Sequence, residues 1–353
     1  IGITKTGDNL QIGAARNADN VVCQRLFDLK PSAPFEPHEG LVSKLREYQR
    51  VGVDSLRFVS ENRLGGLLCD DMGLGKTHQV MALMLVLKDL GEDRGPFVVV
   101  CPVTVISHWQ DKIRMHAPSL STVVYHGGSR DLAGALKDSD VLLTSYGILR
   151  RDIEQLSRIP FALAVFDEAQ YIKNNQTQTY QAALAVHAPC KIGLTGTPIE
   201  NSLSDLKALM DLTVPGYLES DAAFEERYST VIEADLESSR RPELERLIAP
   251  FTLRRLKKSV LAELPSKIED LRTCRLSDEQ VKLYRDAIGS RRADVLDPLT
   301  DPQAIIPFIH IFALLTLLKQ ISNHPALLEE DGSDYDRYES GKWELFKELL
   351  AES

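Results

Sequence analysis

Gly66-Leu67-Leu68-Cys69-Asp70-Asp71-Met72-Gly73-Leu74-Gly75-Lys76-Thr77 is the stretch on which the fold turns. An apolar run, Gly66–Cys69, ends in a polar loop with two glycines, and the loop opens into the all-round apolar run Val80–Leu87. Strand, loop and helix in that order are what a phosphate-binding loop requires. Gly73 and Gly75 let backbone N–H groups close around phosphate oxygens without side-chain obstruction. Lys76 supplies a point charge for β- and γ-phosphates, and the Thr77 hydroxyl a ligand for Mg2+. The helix start adds its own attraction for anions. The general pattern has glycine at the first position, where this chain has Asp70. A glycine-containing turn before a helix would account for the glycines, but not for Gly-Lys-Thr at the helix start. The nucleotide-binding set is therefore expected to be Asp70, Asp71, Met72, Gly73, Leu74, Gly75, Lys76 and Thr77.

Outward from the loop, short apolar runs recur, each followed by a longer helix-like stretch: Phe97–Cys101, Thr122–Tyr125, Val141–Thr144, Leu163–Phe166 and Lys191–Leu194. Val98-Val99-Val100 and Ala164-Val165-Phe166 are apolar on both alternating faces, as in strands covered by helices on both sides. Alternating strands and helices imply a doubly wound, mostly parallel α/β sheet, which binds ligands at the carboxyl ends of its strands. After Asn201 the periodicity is helical, over Leu203–Leu212, Ala222–Val231, Glu243–Ile248, Asp278–Ile288, Ile305–Ile321 and Lys342–Leu350. Lys267–Cys274 reads as one late strand returning to the sheet. Residues 1–40 read as an irregular tail or the remnant of a preceding module, with a short strand near Val21–Leu29.

Asp167-Glu168-Ala169-Gln170 follows the buried run Leu163–Phe166. Adjacent carboxylates at the end of an apolar strand are costly unless something uses them. Beside a phosphate loop, Asp167 is expected to hold Mg2+ through water and Glu168 to activate the attacking water as a general base. A helix start decorated with acids is the plainer alternative. Gly193-Leu194-Thr195-Gly196-Thr197-Pro198 follows another apolar strand. Thr195 and Thr197 could hydrogen-bond toward the acidic pair and couple nucleotide state to movement, or the segment is simply a strand ending in a glycine–proline turn. Gln49 has a donor and an acceptor that match the adenine edge, although a surface glutamine is the commoner reading of the residue alone.

Composition bounds the rest. At 353 residues and 43% hydrophobic, the chain can form one large α/β domain with an appended subdomain. No apolar run approaches the ~20 residues of a membrane span, and no secretory signal opens the chain. The opening isoleucine suggests a fragment. Five scattered cysteines, three of them inside apolar runs, read as small core residues in a reducing compartment, which implies a soluble intracellular protein. The net charge of −10 excludes a simple electrostatic coat for nucleic acid but not a local basic track.

In order, these residues resemble the superfamily 2 helicase-like ATPases, and within them the Swi/Snf-type DNA translocases. Leu45–Gln49 looks like the glutamine motif, Asp70–Thr77 motif I (Walker A), Val98–Trp109 motif Ia and Leu143–Tyr146 motif Ib. Asp167–Gln170 looks like motif II, in Asp-Glu-Ala-Gln form, and Leu194–Asn201 like motif III. Phe251–Lys258, Leu264–Lys267 and Asn323-His324-Pro325 are similar to further family segments, and Ser340-Gly341-Lys342 to the approach to a second lobe. Many chromatin remodellers have Asp-Glu-Gly-His at motif II, so this form leans toward a prokaryotic member, in cytoplasm or nucleoid. The chain stops before motifs IV, V and VI, where the family places its arginine fingers.

The resemblance implies a RecA-like lobe with helical protrusion segments that binds MgATP and one strand of duplex DNA. It implies ATP hydrolysis coupled to translocation, with turnover dependent on a second lobe and very slow without it. Lys76, Asp167, Glu168 and Gln170 would be catalytic, Thr77 and Asp167 the Mg2+ ligands, and Thr104, Thr144 and Ser145 contacts to one DNA backbone. The expected organisation is a tail over 1–40, a lobe over 41–276 with a helical insertion at about 203–250, a protrusion over 277–330 and a linker over 331–353. Arg150-Arg151 and Arg254–Lys258 are basic clusters of the kind that more often form solvated helix faces. An RNA helicase of the DEAD-box kind, a dinucleotide-binding oxidoreductase and a non-catalytic binding module are the rival readings. Gln170 in place of Asp disfavours the first; Gly73-Leu74-Gly75 lacks the third glycine and is followed by Lys-Thr, which disfavours the second.

Overall fold

The computed structural model describes residues 2–6, 9–13, 31, 33–91, 95–128, 131–196, 202–235, 238–260, 270–291, 308–329 and 335–352. The chain divides into two compact units, 1–264 and 265–353.

The first unit is built on a seven-stranded, wholly parallel sheet in the order β5-β6-β4-β7-β8-β3-β9. Its strands are β3 (Gly66–Leu68), β4 (Phe97–Cys101), β5 (Thr122–Tyr125), β6 (Val141–Ser145), β7 (Leu163–Asp167), β8 (Lys191–Leu194) and β9 (Thr252–Leu253). Six match the apolar runs of the sequence to within a residue or two. Alternation within each strand explains why both faces had to be apolar. Val98, Val100, Ala164 and Phe166 enter one core layer. Phe97, Val99, Leu163 and Val165 enter the other. The second layer is closed by α1 (Glu47–Glu61), α2 (Lys76–Asp89) and α3 (Val103–His116). α4 (Gln178–Ala185), α5 (Leu203–Thr213) and α6 (Arg240–Ile248) pack in the first. Met81, Leu83, Met84 and Leu85 of α2 are all buried, and each such side chain contributes about 1.5–3 kcal/mol by leaving water.

The β3-to-β4 connection passes over two strand positions, those of β8 and β7. The carboxyl ends of β3, β8 and β7 therefore line one crevice, the usual ligand position in such sheets.

Three features depart from the sequence expectations. A hairpin of β1 (Gly2–Thr6) and β2 (Asn9–Gly13) lies within the stretch read as irregular; the β-branched Ile3, Thr4, Thr6 and Ile12 favour strand there. The strand near Val21–Leu29 falls outside the described residues. A late strand is found at Thr252–Leu253; of the one expected over Lys267–Cys274, residues 267–269 lie outside the described residues, while 270–274 form no strand and Leu271 is 91% exposed. Two residues are too few to leave a period in the sequence. The helix expected over Ala222–Val231 is interrupted by a π-helical turn, Glu225–Ser229.

In the second unit, α7 (Asp278–Ser290), α8 (Phe308–Asn323) and α9 (Gly341–Glu352) are tied through one amide. Gln280 is fully buried; its Nε2 donates to Ile321 O (2.7 Å), and its Oε1 accepts from Ser277 N and Gly341 N (both 3.1 Å). His324 is buried beside Tyr335 and takes a hydrogen bond from Ala326 N on Nδ1, the role of a turn histidine. This unit holds both the 277–330 and the 331–353 segments. No helix among the described residues is long and apolar enough to cross a membrane. Cys69, Cys101 and Cys190 are buried and Cys274 is exposed.

Candidate nucleotide site

β3 delivers the chain into the loop at Cys69, and α2 takes it out at Lys76. Gly73 (φ 82°) and Gly75 (φ 79°) both adopt the left-handed conformation that other residues resist. The turn thus depends on both glycines. A Cβ at Gly75 would also lie 2.4 Å from Gln49 Nε2. Lys76 Nζ donates to the carbonyl of Asp70 (2.7 Å) and, at 3.5 Å, to that of Asp71. Thr77 follows in the first turn of α2, half-buried.

Asp70 offers the mouth of the loop only its carbonyl. Its carboxylate is fully buried and faces inward. Oδ1 accepts from Arg255 N (3.1 Å) and Nε (2.9 Å); Oδ2 accepts from Arg255 Nη2 (2.5 Å) and Gln79 Nε2 (3.1 Å). The guanidinium also donates to Gln79 Oε1 (2.7 Å) and to Tyr48 O, and lies 5.2 Å from the Tyr48 ring centroid. Gln49 docks α1 on the loop: Nε2 donates to Leu74 O (3.1 Å) and Oε1 accepts from Arg46 N (2.9 Å). Tyr48 Oη donates to the same Leu74 carbonyl. Both halves of the Gln49 amide are thus engaged within the protein.

Across the crevice, Asp167 ends β7 with its side chain largely buried. Trp109 Nε1 donates to its Oδ2 (2.7 Å) and Glu168 N to its Oδ1 (2.9 Å); Tyr146 Oη donates to its carbonyl (2.8 Å). Burial pushes the Asp167 carboxyl above its ordinary value, reinforced by Glu168 and opposed by the Trp109 hydrogen bond and by Lys76. A folded carboxyl with a raised pKa binds a proton more readily than the unfolded chain does. Stability therefore falls as pH rises from about 4 through the raised value. Trp109→Phe removes a hydrogen bond to a charged acceptor, so it should cost about 2 kcal/mol. It should also extend that window upward, which thermal midpoints across pH 4–8 would reveal; an unchanged pH profile would mean that Trp109 merely packs.

Glu168 itself is left-handed (φ 50°, ψ 54°), an uncommon conformation for a non-glycine residue. Its Oε2 accepts from Gln170 Nε2 (2.8 Å), and Gln170 Oε1 accepts from Thr195 Oγ1 (3.0 Å). Thr195 N donates to Leu68 O (3.2 Å), which joins the ends of β8 and β3. Met72 Cγ lies 3.6 Å from where Gly196 would carry a Cβ. Gln49, Asp70–Thr77, Asp167, Glu168, Gln170 and Thr195 therefore converge, while Thr197 lies outside the described residues. Thr104 is exposed in the first turn of α3. Thr144 and Ser145 are buried: Thr144 Oγ1 donates to Tyr125 O (2.9 Å), and Ser145 Oγ accepts from Ile148 N (3.3 Å). Sequence reasoning missed Arg255 and Trp109 as the groups that hold the Asp70 and Asp167 carboxylates, and Tyr146 as the one that holds the Asp167 backbone carbonyl.

A glycine loop between a parallel strand and a helix, facing an acidic pair on the next-but-one strand, defines a RecA-like α/β lobe. Residues 48–327 match the SNF2-related domain, and the chain belongs to that family. It is 33% identical over 343 residues to TATA-binding protein-associated factor MOT1 of Saccharomyces cerevisiae, covering 90% of this chain and 18% of that protein. It is 37% identical over 313 residues to YwqA of Bacillus subtilis, a proposed ATP-dependent helicase/translocase, covering 87% and 34%. The SWI2/SNF2 ATPase core of Sulfolobus solfataricus in complex with double-stranded DNA superposes with a TM-score of 0.62 at 34% identity, over 91% of this chain and 66% of that one. The chain thus spans 18% and 34% of the length of these two curated relatives.

Proposed function

We propose that the chain is the first lobe of an ATP-driven translocase on duplex DNA, with MgATP bound at the Asp70–Thr77 loop. The observation that carries the reading is the relay from Thr195 through Gln170 to Glu168, facing a loop that presents Lys76 and Thr77. Lys76 is poised to exchange its carbonyl partners for phosphate oxygens. Glu168, held on Oε2 by Gln170, is placed to orient the attacking water and accept its proton as the γ-phosphoryl group is transferred. Thr195 reports that carboxylate's position to the end of β8, which couples nucleotide state to movement.

The residues present suit Mg2+. No cluster of three or more His, Cys, Asp or Glu side chains among the described residues could cage a metal. Mg2+ characteristically takes one or two protein oxygens together with phosphates and water. Thr77 Oγ1 and the Asp167 carboxylate supply such oxygens, and when bound the ion neutralises charge on the phosphates. Gln49 reads adenine only by releasing Leu74 or Arg46.

The likeness to a core solved with double-stranded DNA supports duplex DNA as partner. Thr104 is the one DNA-contact candidate whose hydroxyl reaches solvent; Thr144 and Ser145 act through backbone groups. The lobe needs a second RecA-like lobe of the same protein to complete hydrolysis, and alone turns over very slowly. Buried cysteines suit a reducing interior of a cell.

The test is steady-state ATP hydrolysis, with and without duplex DNA, by this chain and by a version extended through a second lobe. Duplex-stimulated turnover in the longer protein alone is expected. Stimulation by RNA instead would overturn the substrate, and robust turnover by this chain alone would overturn the split-site reading.

A further inference from the structure

We propose that Lys257 is a second cation for the phosphates of the bound nucleotide, held over the loop by the Arg255–Asp70 pair. The inference rests on Asp70–Thr77 being a nucleotide site.

β9 runs parallel to β3, with Leu253 opposite Leu68, so both strands emerge at the same end of the sheet. The pairing continues beyond the strands into the loop: Cys69 N donates to Leu253 O (2.7 Å) and Asp71 N to Arg255 O (3.0 Å). Arg255 is then fixed by both oxygens of Asp70. Two residues on, Lys257 N donates to Asp71 Oδ2 (2.9 Å). The backbone of 253–257 is thereby stitched to 69–71 at successive points, with little freedom left in where the Lys257 side chain begins.

That side chain reaches across Gly73. Its Cε and Nζ both lie 3.3 Å from where Gly73 would carry a Cβ, and among the described residues nothing beyond the loop's own neighbours comes as near. The ammonium pairs with no carboxylate among the described residues. Lys76 meanwhile holds the Asp70 carbonyl within the same loop. Two ammonium groups thus serve one glycine loop, one supplied by the loop and one by the segment after β9. A di- or triphosphate in the loop is attracted by both. Adenosine, which brings no charge, gains nothing from Lys257. Asp70 at the position where the general pattern has glycine also acquires a purpose: its carboxylate is the anchor that sets Arg255, and through it Lys257.

Lys257 is exposed, so its truncation leaves the fold intact, and an unchanged thermal midpoint verifies this. The experiment titrates the purified chain with a fluorescent MgADP analogue at low and high salt, competing with unlabelled ADP and with adenosine. Lys257→Ala is expected to weaken ADP about tenfold, equivalent to about 1.4 kcal/mol, with a shallower salt dependence and unchanged affinity for adenosine. Lys257→Arg should stay within about threefold of the unsubstituted chain, because it keeps the charge. Lys257→Ala binding ADP within twofold of the unsubstituted chain, with the same salt slope, overturns the proposal while leaving the nucleotide site standing. A chain that binds no ADP even before substitution overturns both. A loss that Arg fails to restore, together with a lowered midpoint, identifies a structural role and also overturns it.

Discussion

Arg255→Met is expected to destabilise the first compact unit by about 3–5 kcal/mol, the usual cost of removing one partner from a buried ion pair. The Asp70 carboxylate is wholly inaccessible, and the Arg255 side chain keeps only 12% of its exposure. With the guanidinium gone, Gln79 Nε2 remains as a donor to Oδ2, and the Arg255 backbone N–H as a donor to Oδ1. Two hydrogen bonds do not replace a charge in a site that water cannot enter. Asp70→Asn in the same chain should recover part of the loss, since a neutral amide needs no counter-ion. The double-mutant cycle measured by urea unfolding would then show strong coupling between the two positions. A loss below about 1 kcal/mol, the range of exposed pairs, would mean that water or another cation reaches Asp70. Loosening of the loop follows from the same geometry, so nucleotide affinity should fall in Arg255→Met and not in Arg254→Met, whose side chain is exposed.

The same pair marks where reading the sequence ran out. The glycine loop, the adjacent carboxylates and the strands that carry them were legible as local structure: two glycines between a strand and a helix, acids after a buried run, valines on alternating faces. The Asp70–Arg255 contact joins residues 185 positions apart, and no local pattern reports it. One signal was nonetheless present. A carboxylate at the end of an apolar strand, where the general motif has glycine, needs a partner, and the Arg254–Lys258 cluster contained one. β9 escaped for a related reason: a two-residue strand has no period, and its pairing with β3 is decided by the helices that bring Thr252 there. The hydroxyls of Thr144 and Ser145, candidate contacts to DNA, are buried because residues ending a central strand are covered by its neighbours. Thr104, one residue into a helix, stays exposed.

Glu168→Gln, in a protein extended through a second lobe, is expected to lower kcat about a thousandfold, inside the 10²–10⁴ range of general acid–base catalysis. The substitution is a clean one here. Gln170 Nε2 donates to Oε2 of Glu168, and a glutamine side-chain carbonyl can accept the same hydrogen bond. The link onward to Thr195 is kept, as is the left-handed backbone, because Gln and Glu have similar shape and conformational cost. What is lost is the ability to take a proton. MgADP affinity and the thermal midpoint should therefore stay close to those of the parent, with the effect confined to kcat. Lys76→Ala makes the contrast: its ammonium acts on phosphates in the ground state as well as the transition state, so both affinity and turnover should fall. Thr195→Val separates coupling from chemistry. It removes the donor to Gln170 Oε1 while leaving both carboxylates in place, so DNA stimulation should drop more than basal hydrolysis. Near-parental turnover by Glu168→Gln would assign the base elsewhere. Asp167, the adjacent carboxylate, is then the residue to test, and a shift of the pH–rate profile in Trp109→Phe would identify it.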